Sequence, residues 1–348
     1  MHNILIIKLR YLGDVLLSTP VLTALRERFP TARLTMAVNR GTEDMVKWNP
    51  DLNEVIVVER GGIAAQLRAF HQIRQRRFDG VIDLTDGDRS AFLTWFSGAP
   101  VRIGFNDEHR RRGRVYTAIV PVRSAIIHRV ERELAALTPL GIEAKAGQVL
   151  LRTSKEDDEA ADRLLRELDV MRAEGTLVKP LVMLHPGARY WFKAWPAERF
   201  AALADRLSET YGCQVLIGGT AQDREIVDAI AGRSTSRPIS IAGRVTPLQF
   251  ASLVKRCRLF IGNDNGAMHI AAAIGTPVIG LFGPSNPAEW GPSGGPAQVV
   301  YKGMDCRQCF HPTCRREEEN CMKQIGVNEV LAAAARWLSA KVTAHAHG

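Results

Sequence analysis

One pattern, written twice, limits what this chain of 348 residues can fold into: a short apolar run, a polar or glycine-bearing loop, then a stretch with apolar residues at helical spacing. The first copy opens with Ile4-Leu5-Ile6-Ile7, a buried-strand run. Val15 to Phe29 follows as a helix, with Leu16, Leu22, Leu25 and Phe29 on its spacing and Pro30 stopping it. Strands are expected at Arg33 to Val38, Glu54 to Val58 and Gly80 to Leu84, and a helix around Ile63 to Arg76. The pattern restarts after Pro180 with strand Leu181 to Leu184, loop His185-Pro186-Gly187, helix Ala197 to Tyr211 and strand Gln214 to Ile217. Further units follow at Asp223 to Ala231, Ile239 to Ala242 and Pro247 to Arg256. Strands alternating with helices build parallel sheets, so the expected class is α/β with two doubly wound units. Between them, Ser154 to Glu174 reads as a charged helix striped by Leu164, Leu165 and Leu168, and Gly175 to Lys179 as a linker. The expected division is therefore 1–174, 175–326, and a closing helix and tail at 327–348.

The length itself exceeds what one core usually serves, which agrees with two domains. Lysine and arginine number 46 against 37 acidic residues, a formal charge of +9. That excess suits an anionic partner: nucleic acid, a phosphorylated lipid surface or a nucleotide. A basic nucleic-acid-binding protein is the reading from another class, but the sequence offers no reading helix, no RNP aromatic motif and no finger with paired histidines. The first apolar run meets Lys8 and Arg10, and no run reaches bilayer length, so a cytoplasmic chain is expected. Cys306, Cys309, Cys314 and Cys321 crowd into one segment. Thiolates so spaced could hold a structural zinc ion tetrahedrally, or they could be free or redox-active thiols.

Three segments carry chemistry. Leu259 to Asn263 reads as a strand that turns through Asp264 and Asn265 into a helix beginning at Gly266. The amides of Asn265, Gly266, Ala267 and Met268, with the helix dipole, form an anion site, and glycine at 266 permits close approach. Asp264 would repel a phosphate, so it either holds the turn or meets a sugar hydroxyl. An ordinary strand-to-helix turn capped by Asp or Asn gives the same pattern. In the first half, Lys8-Leu9-Arg10-Tyr11-Leu12-Gly13-Asp14 joins a strand to its helix. Asp14 is placed to act as a general base or as the helix N-cap. In the second half, Arg189 and Lys193 stand close to Gly187 and a helix start, where cations could neutralise a departing pyrophosphate without a metal ion. Solvated surface charges would look alike. Nothing matches the glycine-lysine phosphate loop of P-loop nucleotidases.

The run Ile-Lys-Leu-Arg-Tyr-Leu-Gly-Asp-Val-Leu-Leu-Ser-Thr-Pro and the block Asp264 to His269 resemble glycosyltransferase family 9, the ADP-heptose:lipopolysaccharide heptosyltransferases. The likeness covers essentially the whole chain. The N-terminal run and the stretch from Asn39 to Asn53 are most like the heptosyltransferase III branch. The resemblance implies a GT-B fold of two facing Rossmann-like domains about a central cleft, with acceptor on the first and nucleotide sugar on the second. It implies inverting transfer of L-glycero-D-manno-heptose from ADP-heptose to the lipopolysaccharide inner core, with no metal required. A GT-B transferase or epimerase using another nucleotide sugar is the alternative.

Residue by residue, Asp14 matches the catalytic base and Lys193 the lysine on the donor phosphates. Asp264, Asn265, Gly266, Ala267, Met268 and His269 match the pyrophosphate and heptose turn, with Arg189 and Gly187 beside them. Some relatives carry hydroxyl residues where this chain has Gly187 and Ala188, so backbone amides would substitute. The ribose carboxylate is Glu225, with Asp223 as the other choice. For an acceptor bearing carboxylates and phosphates, the cationic loop with Arg110, Arg111, Arg112 and Arg114 is expected to bind, along with Arg60 and Arg89 near strand ends, while Arg102, also near a strand end, is left open. A solvated charge run is the plainer account of the loop. The implied location is the cytoplasmic face of the inner membrane, in peripheral contact with its anionic surface.

Overall fold

The computed structural model describes residues 1–59, 61–121, 127–144, 147–303, 306, 314, 316 and 318–339, without the side chains of 63–65. The chain divides into two compact units, Met1–Arg152 and Thr153–Gly348.

The first unit runs β1 (Asn3–Lys8), α1 (Leu12–Leu17), α2 (Thr19–Arg28), β2 (Arg33–Asn39), β3 (Glu54–Val58), α3 (Ile63–Gln75), β4 (Gly80–Asp83), α4 (Asp88–Ser97), β5 (Val101–Phe105), β6 (Ala118–Val120) and α5 (Arg129–Ala135). Its six strands are ordered β3-β2-β1-β4-β5-β6 and all pair in parallel. The run Ile4 to Ile7 is wholly buried because β1 lies between two other strands and is covered on both faces.

The second unit runs α6 (Lys155–Glu167), β7 (Leu181–His185), α7 (Ala197–Tyr211), β8 (Gln214–Ile217), α8 (Arg224–Arg233), β9 (Ile239–Ser240), α9 (Pro247–Lys255), β10 (Leu259–Asn263), α10 (Gly266–Ala273), β11 (Val278–Phe282), α11 (Pro287–Trp290), β12 (Ala297–Tyr301), α12 (Cys321–Gln324) and α13 (Val327–Leu338). Its sheet, β12-β11-β10-β7-β8-β9, is also parallel and repeats the strand order of the first. In each sheet the winding direction reverses between the first and fourth strands of the unit. Open parallel sheets bind ligands beyond the carboxyl ends of the strands at that reversal. The residues to examine are therefore those just after β1 and β4, and just after β7 and β10.

Three expectations need correction. The helix expected over Val15 to Phe29 is two helices broken at Ser18. Pro20 has no N–H to donate, so the Leu16 carbonyl takes the Thr19 hydroxyl at 2.9 Å, and Ser18 Oγ donates to the Val15 carbonyl at 2.7 Å. The charged helix stops at Glu167 and belongs to the second unit. Its acidic face pairs with Arg256 of the residue following α9, through Asp162 and Asp158, and Glu167 meets Arg244 at 2.7 Å. Gly175 to Lys179 folds back instead of linking: Arg172 N–H donates to the Thr176 carbonyl at 2.8 Å and Val178 N–H to the Val170 carbonyl at 2.9 Å. The boundary accordingly moves from residue 174 to Arg152. Helix α13 packs on the second unit, with Val330, Leu331, Ala333 and Ala334 in its core beside Val300 and Met322. No helix among the described residues is long and apolar enough to cross a membrane.

Candidate active site

At the reversal in the second sheet, two asparagines tie the turn after β10 to the loop after β7. Asn263 is fully buried; its Nδ2 donates to the Pro186 carbonyl at 2.7 Å and its Oδ1 accepts from Trp195 N–H at 3.1 Å. Asn265 caps α10, accepting from Met268 N–H at 3.1 Å, and its Nδ2 donates to the Gly187 carbonyl at 2.6 Å. Between them Asp264 accepts from Lys193 Nζ at 2.8 Å. Lys193 ends a short 3₁₀ turn, Trp191–Lys193, so its position on the loop is set by local hydrogen bonding, Lys193 N–H to the Tyr190 carbonyl at 2.9 Å. The cap changes the expected anion site. Met268 N–H is already occupied by the cap, which leaves the amides of Asn265, Gly266 and Ala267 as those at the helix start without an intrahelical acceptor.

His185, at the end of β7, is buried between the rings of Phe250 and Phe260, and burial pulls its pKa down to about 4 against the opposing pull of Asp223. The ring is therefore neutral near pH 7. Its Nδ1 lies 3.1 Å from Asn265 Nδ2, an amide donor, which puts the ring proton on Nε2. Gly187 is cramped: a Cβ there would come within 3.0 Å of both Asp223 Oδ1 and His185 Cε1. Of the two ribose candidates, Asp223 lies against this loop, its Oδ2 accepting from Thr220 N–H at 2.8 Å, whereas Glu225 is exposed in the first turn of α8. Arg189 is exposed with its guanidinium 5.3 Å from the Tyr190 ring, and His269 is buried in α10.

At the reversal in the first sheet, Asp14 is not the N-cap. Tyr11 holds that position, and Asp14 is the third residue of α1, half-buried in its first turn, where the helix dipole favours a carboxylate. No hydrogen bond or ion pair of its side chain is present among the described residues. The loop before it is pinned. Leu9 N–H donates to Thr85 Oγ1 at 2.8 Å, the Arg10 guanidinium donates to the Thr85 carbonyl at 3.0 Å, and Asn39 Nδ2 donates to the Arg10 carbonyl at 3.2 Å. Beneath, Lys8 is fully buried and donates to Glu133 at 2.6 Å and to the Leu84 carbonyl at 2.8 Å. Burial lowers the Lys8 pKa while Glu133 opposes the shift. Asp83 ends β4, also fully buried, with its pKa raised by burial against hydrogen bonds from Ser90, Thr85 and the Tyr116 hydroxyl. Gly104 makes room for that tyrosine, since a Cβ would stand 2.4 Å from its ring.

The arginines expected on an acceptor separate into two groups. Arg112 is a correction: its side chain is 7% exposed and spent on Asp86 at 2.9 Å, Asp88 at 3.1 Å and Glu108 at 3.2 Å. Burial disfavours that charge, yet the carboxylates around it raise its pKa. Arg89 donates to Asn39 Oδ1 and to the Glu59 carbonyl, and Arg102 to the carbonyls of Val115 and Ala99, so both hold backbone together. Arg110, Arg111 and Arg114 are exposed, Arg110 beside Glu108. Arg60 lies outside the described residues.

Cys306 and Cys321 are half-buried and Cys314 is buried. Cys309 lies outside the described residues, and among those described no three His, Cys, Asp or Glu side chains are grouped to hold a metal ion. Sequence reasoning missed Asn263, Glu133 and Tyr116. A buried asparagine closing an apolar strand was the one visible hint, while Glu133 and Tyr116 meet their partners only through the fold.

Comparison with known proteins agrees with this geometry. Residues 66–319 match the family described as glycosyltransferase family 9 (heptosyltransferase). Lipopolysaccharide heptosyltransferase 3 of Escherichia coli K12 is 32% identical over 296 residues, 82% of this chain and 83% of that one. A second Escherichia coli lipopolysaccharide heptosyltransferase 3 is 29% identical over 96% of this chain and 99% of its own. The crystal structure of a family 9 glycosyl transferase from Veillonella parvula superposes with a TM-score of 0.84 at 25% identity, covering 97% of each chain. With two parallel sheets wound alike and polar loops gathered at both reversals, the chain is a transferase of GT-B fold and belongs to glycosyltransferase family 9, the heptosyltransferases.

Proposed function

We propose that this heptosyltransferase moves L-glycero-D-manno-heptose from ADP-heptose to the inner core of lipopolysaccharide, as a type III enzyme adding a branch heptose. The support is the likeness to two type 3 relatives together with the Asn39 to Asn53 stretch. The second unit is the donor domain and the first the acceptor domain. Asp14 takes the proton of the acceptor hydroxyl as that oxygen bonds to the anomeric carbon from one face. The bond from that carbon to the diphosphate oxygen breaks on the other face, its electron pair leaves with ADP, and the anomeric configuration inverts.

The observation that carries this reading is the Lys193–Asp264 contact, held by Asn263 and Asn265 at the reversal of the second sheet. It sets one cation beside the free amides of Gly266 and Ala267. Together these groups stabilise negative charge gathering on a diphosphate without a divalent metal. Glu225, with Asp223 close by, meets the ribose, while Arg189 and the Gly187 loop flank the phosphates. Exposed Arg110, Arg111 and Arg114 take the anionic groups of the acceptor. The enzyme works peripherally at the cytoplasmic face of the inner membrane.

The test is a screen of nucleotide sugars for nucleotide release with truncated core oligosaccharides, run with and without EDTA, with the product anomer assigned by NMR. Turnover of ADP-heptose that survives EDTA and inverts C1 is expected. Turnover with another nucleotide sugar alone, retention of configuration, or loss of activity in folded chelated protein would overturn the corresponding part.

A further inference from the structure

Helix α4 is turned inside out. Its buried face is Ser90, Ala91, Thr94 and Ser97, with Leu93, while Phe92, Trp95 and Phe96 are 46%, 57% and 36% exposed. Their i, i+3, i+4 spacing aligns the three rings on one stripe. A helix bathed in water puts its apolar stripe on the core, and a contiguous exposed apolar patch marks an interaction surface. Leu67 of α3, 58% exposed, widens the patch. Phe70 joins the two helices, its ring centroid 4.9 Å from Phe92 and 5.0 Å from Phe96. Between the same helices opens a cavity of about 280 Å³ walled by Val58, Phe70, Phe92 and Leu93 together with Asp88 and Arg89.

The surroundings are cationic. Residues 60–78 contain five arginines and no acidic residue. Arg68 and Arg77 are exposed, and Arg74 reaches over the end of α4 to the Ser97 carbonyl at 3.1 Å, two residues past Trp95. The nearest carboxylates are committed: Glu59 faces Arg40 and Arg68, and Asp88 faces Arg110 and Arg112. Indole and phenyl rings rimmed by guanidinium groups suit a bilayer interface, where rings settle at headgroup depth and cations meet lipid phosphates.

We propose that α4, with Leu67 of α3, is the face by which the protein lies on an anionic lipid bilayer: Phe92, Trp95 and Phe96 enter the interface while Arg74 and Arg77 contact phosphates. This rests on the reading of a lipid-borne acceptor and peripheral membrane contact, and it names the contacting face, which the charge excess alone does not select.

The test is co-sedimentation of the full chain with vesicles of phosphatidylethanolamine and phosphatidylglycerol. Trp95→Ser with Phe96→Ser should lower the partition coefficient at least about tenfold. ADP release with a soluble deacylated core acceptor should stay within about twofold of wild type. Arg74→Glu with Arg77→Glu should weaken binding to these vesicles by about tenfold as well, with the wild-type binding falling in high salt. Equal binding by wild type and the Trp95/Phe96 variant would overturn the face while leaving membrane contact standing. No binding by wild type would overturn membrane contact itself. A wild-type dimer that becomes monomeric in the variant, with vesicle binding unchanged, would make the patch a self-interface and overturn the proposal.

Discussion

Lys193 Nζ and Asp264 Oδ2 meet at 2.8 Å, one from the loop after β7 and the other from the turn after β10. The aspartate side chain is 9% exposed and the lysine 25%, so the contact is partly shielded from water yet open on the lysine side. An entering diphosphate would share a cation that is already oriented. Lys193→Ala should lower kcat about 10²-fold, the usual cost of losing one transition-state charge partner. Because the two residues act as one device, the Lys193→Ala/Asp264→Asn double variant should fall within about threefold of the worse single variant. Steady-state kinetics on the four proteins checks this, and multiplicative losses would separate the two roles.

Lys8 and Glu133 form a fully buried ion pair beneath the Asp14 loop. Removing one partner strands a charge in the interior, so Lys8→Ala and Glu133→Ala should each destabilise the protein by about 3–5 kcal/mol. Replacing both with apolar residues, Lys8→Met with Glu133→Leu, should recover most of that loss. Urea unfolding of the three variants is the measurement. A double variant no better than the singles would show that Arg129, 3.3 Å from Glu133, depends on that carboxylate as much as Lys8 does.

His185 gives the stability a pH dependence. Its folded pKa of about 4 lies below the ordinary histidine value of 6.5, so between these values the unfolded chain binds more protons than the folded one. Its contribution is complete above about pH 6.5 and is lost as pH falls toward 4. The full effect is on the order of 3 kcal/mol. Urea midpoints measured from pH 4.5 to 7.5 should fall with acid in wild type and flatten in His185→Gln, which keeps a polar side chain at the site. An unchanged slope in that variant would assign the effect to another group.

The arginine loop should divide by burial. Arg112→Ala removes the shielded cation shared by Asp86, Asp88 and Glu108, leaving Arg132 at 3.5 Å on Asp86 and Arg110 on Asp88, and should lower the melting temperature. Arg111→Ala and Arg114→Ala touch exposed positions, so stability should hold while KM for the core acceptor rises about three- to tenfold. Thermal melts paired with acceptor titrations distinguish the groups.

Much of the fold is legible in local patterning. Ile4 to Ile7 and Leu181 to Leu184 announce central parallel strands, and Gly212 and Pro196 bracket α7 as helix ends should. Patterning was blind where a backbone detail or a distant partner decides. The break at Ser18 follows from one missing proline N–H inside an otherwise helical stripe. The tie of α6 to the second unit depends on Asp162 finding Arg256, far along the chain. The turn after β10 is visible in sequence as Asn-Asp-Asn-Gly, but only the fold reveals that Asn265 spends its side chain capping Met268 and holding Gly187. Arg112 shows the reverse error: charge in sequence does not report burial, and a guanidinium enclosed by three carboxylates looks there like its exposed neighbours.

The central claim is that Asp14 removes the acceptor proton. The direct measurement is single-turnover ADP release from ADP-heptose with saturating core acceptor, comparing wild type with Asp14→Asn, alongside ADP affinity by calorimetry. Unchanged ADP binding and a rate at least about 10²-fold lower, in the range lost with a general base, are expected. A variant that binds ADP normally and transfers heptose near the wild-type rate would contradict it.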